Sequence, residues 1–123
     1  MPDACALLSS EELTSILGAD PGTAVDESFD PEHRRICTHT SGLLLAVEVA
    51  ENWQGDDSFG LIDNPSVEVD GIGEEAHWQD IGSGMGQLVA LGPGYFVALP
   101  LALTVNGDHE TAERLGEAML AAL

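Results

Sequence analysis

Cys5, Cys37, His33 and His39 are the residues of this 123-residue chain whose types and spacing could hold a metal or form a covalent link. The last three read H-x3-C-x-H, and strand alternation would put Cys37 and His39 on one side. With Cys5 they make four borderline or soft ligands, the number that structural zinc takes. Their spacing matches no standard zinc pattern. Two cysteines are also an even count in a small domain, which permits one disulfide in an oxidising compartment. Such a bridge would close a loop of 32 residues. The chain-entropy contribution of that loop is about 3–4 kcal/mol. A third reading leaves two inert, buried thiols.

Other chemical signals are weaker. Gly82-Ser83-Gly84-Met85-Gly86 is G-x-G-x-G, whereas a dinucleotide loop needs G-x-G-x-x-G between a strand and a helix. Strands flank the run here, and the chain has no lysine for a phosphate. It reads as a flexible hairpin connection. Asp70, Glu74 and Glu75 around one Gly-rich turn, and Asp56 and Asp57 in another loop, offer oxygen ligands of the kind calcium uses. Neither group has calcium-loop spacing, so they read as solvated acids, and no metal or cofactor is expected. Ser41 follows His39 by two residues, but a catalytic triad is defined by geometry and not by order. The best contact candidates are Trp53, Phe59 and Leu61, interleaved with Asp56, Asp57 and Asp63 in the segment 51–64. Apolar residues in such a loop commonly fold back onto the core. Displayed, they would form an aromatic anchor in an acidic rim, suited to a cationic or mixed partner surface.

The composition bounds what any of these residues could do. The length fits a single domain, 1–123, with 44% hydrophobic residues. Twenty-two Asp and Glu stand against three arginines, giving a net charge of -19. That charge repels phosphate backbones and anionic lipid heads, so nucleic-acid binding is not expected. A DNA-mimic inhibitor is an alternative reading of the acidity. The carboxylates, however, are spread along the chain and not stacked in one helical row. No apolar run is long enough to span a membrane. The opening MPDACALL has neither a basic nor an apolar leader region, so a secreted protein would have lost its signal peptide upstream.

The elements that must position these residues are legible. Ser9 and Glu12 form a capping box, and Leu8 and Leu13 a hydrophobic staple. Leu13, Ile16 and Leu17 give a helical face over 10–17, and Gly18 ends it. A short strand is expected at 23–25, then strands at 35–40 and 43–50 joined by a Ser41-Gly42 turn. Further strands are expected at 66–69, 75–79, 87–91 and 95–105, with Pro100 arguing for an edge position or a bulge. A final helix, capped by Asp108, would bury Ala112, Leu115, Met119 and Leu123, with Leu120 beside them. Helix, antiparallel strands, helix is an α+β order: a sheet of about five to seven strands with both helices packed on it.

Three motifs in order carry a family resemblance. Asp3-x-Cys5-x-Leu7-Leu8-Ser9-x-x-Glu12 leads into a helix and Gly18, Cys37 follows, and Gly71-Ile72-Gly73-Glu74-Glu75-Ala76 comes third. Together they resemble the DUF3558 family of actinobacterial lipoproteins, whose function is unknown. The pattern departs at His39, where the family usually has an aromatic residue. The resemblance implies an extracytoplasmic cell-envelope domain with a disulfide between Cys5 and Cys37. It also implies membrane tethering through a separate lipidated cysteine upstream. It brings no established activity. The expectation is a monomeric, non-enzymatic binding module for a protein or small ligand. The alternative is a hydrolase-like enzyme with an unrecognised site.

Overall fold

The computed structural model describes residues 2–28, 30–53, 66–82, 85–100 and 109–123. The first helix, α1, spans Ser10–Leu17, where its capping signals place it. The Ser9 hydroxyl accepts from the Glu12 amide at 3.1 Å, and the Ser9 amide donates to the Glu12 carboxylate at 3.2 Å. These satisfy two polar groups that a helix start otherwise leaves open. Gly18 adopts φ 77° and donates its amide to the Thr14 carbonyl. Leu8 and Leu13, the staple pair, are both buried in the core.

Seven strands follow: β1 Ala24–Asp26, β2 Arg34–His39, β3 Leu44–Val49, β4 Ser66–Glu68, β5 Glu75–Gly82, β6 Met85–Leu91 and β7 Tyr95–Pro100. They form one sheet in the order β1-β2-β3-β7-β6-β5-β4, and every neighbouring pair is antiparallel. A short 3-10 turn, Ala50–Asn52, follows β3. The second helix, α2, spans His109–Ala122 and packs on β6 and β7. The fold is therefore α+β, as the element order predicts.

Register sorts the side chains into two faces. Cys37 pairs with Leu45, Val47 with Val97, Ala90 with Val97 and Ala76, and Leu88 with Leu99 and Trp78. All of these are buried in one core together with Ala112, Leu115 and Met119 of α2. Leu120 and Leu123 lie partly buried against it. Gly116 lets α2 approach closely: a Cβ there would stand 2.8 Å from Leu88 Cδ2. The alternate residues, among them Ala46, Phe96, Val89, His77 and Gln79, occupy the other face.

Three expectations change. The hairpin glycines are not all loop: Gly82 pairs with Met85, and Gly86 lies inside β6 opposite Asp80. The reason is Trp78, whose indole occupies the space a Gly86 side chain would need, 2.1 Å from an ideal Cβ. Pro100 sits on a central strand, not an edge, and is tolerated at the last residue of β7, opposite Gln87. The first strand is shifted by one residue to Ala24–Asp26. The proposed Asp108 cap and the continuation of β7 beyond Pro100 lie outside the described residues.

Candidate functional site

Cys5 and Cys37 form a disulfide with Cα atoms 5.1 Å apart. The bond consumes both thiols, which settles the three readings of the cysteines in favour of the bridge. It ties the segment before α1 to β2, and a second polar clasp runs beside it. Asp3 Oδ1 accepts the Cys5 amide at 2.9 Å and lies 3.4 Å from Arg35 Nη2. The same Nη2 donates to Asp26 Oδ2 of β1 at 2.6 Å. Arg35 thus links the N-terminal segment to the edge strand, although its buried Nε has no hydrogen-bond partner. The Ser28 hydroxyl and amide, and then Arg35, hold the exposed Asp26 carboxyl down at about 2.

Beside the disulfide lies a cleft of about 290 Å³. One wall is Cys5, Ala6, Leu8 and Leu13; the other is Pro21, Gly22, Ala24 and His39, with Ser9 and Ser10 also lining it. Gly22 holds the second wall in place: at φ 86° its backbone runs so close to Thr40 that a Cβ would stand 2.6 Å from Oγ1. The Thr23 amide donates to that same hydroxyl at 2.6 Å. His39 is only 8% exposed, and its Nδ1 lies 3.3 Å from the Leu43 carbonyl oxygen.

On the opposite face of the sheet, Trp53 caps the 3-10 turn, its amide donating to the Ala50 carbonyl at 3.0 Å. Its half-buried ring packs edge-on against Phe96 at 5.3 Å and tilted against His77 at 6.1 Å. His77 Nε2 and Glu75 Oε2 stand 2.6 Å apart. The exposed Glu68 is the cross-strand neighbour of His77. Further along, Gln87 donates to the buried Gln79 at 2.9 Å. Of the three expected contact residues, Trp53 is therefore partly folded back and partly displayed, while Phe59 and Leu61 lie outside the described residues. Sequence reasoning missed Glu75 and His77 as companions of Trp53. Their spacing, two apart on a strand and so on one face, was the available signal.

The remaining ionisable residues make local pairs. His33 Nδ1 is 2.9 Å from Asp30 Oδ2, and this contact raises the histidine above its usual value. Asp70 and Glu74 are exposed, whereas Asp56 and Asp57 lie outside the described residues. Among the described residues no group of three or more His, Cys, Asp or Glu is placed to hold a metal ion. Nor is any helix among them long and apolar enough to cross a membrane. His33, His39 and His77 bond to a carboxylate, a backbone carbonyl and a carboxylate respectively, so among the described residues these three contacts pair them with proton acceptors. No family model, curated protein or solved structure matches the chain.

Proposed function

We propose that this chain is the extracytoplasmic domain of a cell-envelope lipoprotein, similar to the DUF3558 family, and that it works by binding and not by catalysis. The Cys5–Cys37 disulfide supports an oxidising compartment, because thiols are kept reduced in most cytosols. The observation that carries the binding reading is the half-buried Trp53 ring, seated on Phe96 and on a His77 that Glu75 and Glu68 neighbour. A rigid aromatic anchor edged by carboxylates suits a cationic or mixed protein surface. Its base is the sheet, so little side-chain freedom is lost on contact.

Two measurements test this. In the native organism the protein should fractionate with the envelope and be fully oxidised; recovery from the cytosol with both thiols free would overturn the location. Against the domain's envelope partners, captured by cross-linking in intact cells, Trp53→Ala should reduce recovery at least about tenfold, the effect of a lost aromatic anchor. Unchanged capture by the folded variant would remove this patch as the binding surface.

A further inference from the structure

The cleft beside the disulfide has chemistry distinct from the Trp53 patch. Among the described residues no Asp or Glu lines it, although the chain carries 22 of them. Ala6, Leu8, Leu13, Pro21 and Ala24 make it mostly apolar. Its volume of about 290 Å³ lies at the small end of the range for ligand pockets. Its two walls are fixed relative to one another by a covalent bond, with Cys5 in one wall and Cys37 two residues from His39 in the other. A recess held this way keeps its shape when empty, which lowers the cost of binding.

His39 sets what the cleft accepts. Its Nδ1 faces the Leu43 carbonyl oxygen, which can only accept a hydrogen bond, so Nδ1 carries the proton. In the neutral ring the other nitrogen, Nε2, is therefore an acceptor. The imidazole belongs to a residue more than nine-tenths buried that lines the cleft. We infer that this cleft is a binding site for a small, neutral or cationic molecule with an apolar body and a hydroxyl or amine donor that bonds His39 Nε2. A carboxylate of the same shape is rejected on two counts. It presents acceptors to an acceptor, and it enters a protein of net charge -19.

The test uses three probes of one shape: benzyl alcohol, benzylamine and benzoate. Nitrogen-detected NMR of the imidazole should first show the Nδ1-protonated tautomer for His39 in the free, oxidised protein. Benzyl alcohol or benzylamine should then shift His39 Nε2 together with the Leu8, Leu13 and Ala24 methyl resonances, and benzoate should not. His39→Phe keeps a ring but removes the acceptor, and should weaken the amine or alcohol about tenfold. Ala24→Leu fills the cleft beside His39 while leaving the imidazole intact, and should abolish the shifts even if the first variant folds poorly. The opposite tautomer, equal binding of benzoate, or no shift at these residues up to the solubility of the probes would each overturn the proposal. Probe shifts confined to Trp53 and His77 would do the same and point back to the opposite face, so failure here is distinguishable from failure of the partner-binding reading.

Discussion

His39 and His77 sit in the same sheet but in opposite settings. The first is enclosed beside a covalent bridge, bonded to a backbone carbonyl, in a cleft that no acidic side chain lines among the described residues. The second lies under a tryptophan on the other face, bonded to one carboxylate with another across the strand. The difference shows how one very acidic chain maintains two kinds of surface. Period-two alternation sends residues to one face or the other, and the helices and the N-terminal segment then pack on only one of them. The pinned region is held by a covalent bond, and the aromatic region is flanked by carboxylates.

The largest expected effect tests the pin. Replacing both cysteines by serine should lower stability by about 3–4 kcal/mol, the entropy released by opening the loop of 32 residues. Urea unfolding measures it. A loss no greater than that from Trp53→Ala would erase the contrast between the two regions. Next comes Gly86→Ala, which drives a methyl into the Trp78 ring and should cost about 1–3 kcal/mol by overpacking. A full-size loss here, with binding of partners unchanged, would show that the central sheet carries stability and the Trp53 patch carries contact.

Smaller effects sharpen the comparison. Ser9→Ala removes the helix cap and should cost about 1 kcal/mol, with α1 amides exchanging faster while those of β5 to β7 stay protected. Trp53→Ala should cost about 1 kcal/mol by stripping a ring from Phe96 and His77. The smallest effect is electrostatic. Asp26 has its carboxyl lowered to about 2, so its contribution is complete above the ordinary value of 3.8 and disappears as pH falls through about 2. His33 runs the other way: its value is raised, so its contribution is present below 6.5 and is lost as pH climbs through the raised value. Both groups are exposed, so added salt should flatten both trends, visible in NMR titrations of the two side chains. The same salt should raise overall stability by relieving the repulsion of a net charge of -19.

Local signals were read well because their physics is local. A capping box, a staple and a terminal glycine, all between Leu8 and Gly18, fix the eight-residue α1, and the alternation of β2 and β3 sorts their side chains into two faces. Gly86 reads as loop from the sequence because its reason, the Trp78 indole, comes from the neighbouring strand. Pro100 was misplaced because edge or centre depends on strand order, and β7 is inserted between β3 and β6. Trp53 stands out in the sequence as a contact candidate, but His77 reaches it only through the sheet, with Glu75 bonded to that histidine.

The α+β class, both helices, the alternation of the strands and the chain's acidity are legible in its residues alone. Each follows from propensity, period or charge count, which act over a few residues or over the whole composition. The rest depends on the three-dimensional arrangement of the strands. It settled that Cys5 and Cys37 bond to each other and bind no metal between them. It set His39 against the Leu43 carbonyl at the wall of a cleft, and it brought Trp53 onto His77 across 24 residues of sequence. Those outcomes depend on which strands become neighbours, and that choice is made by the burial of the whole core at once.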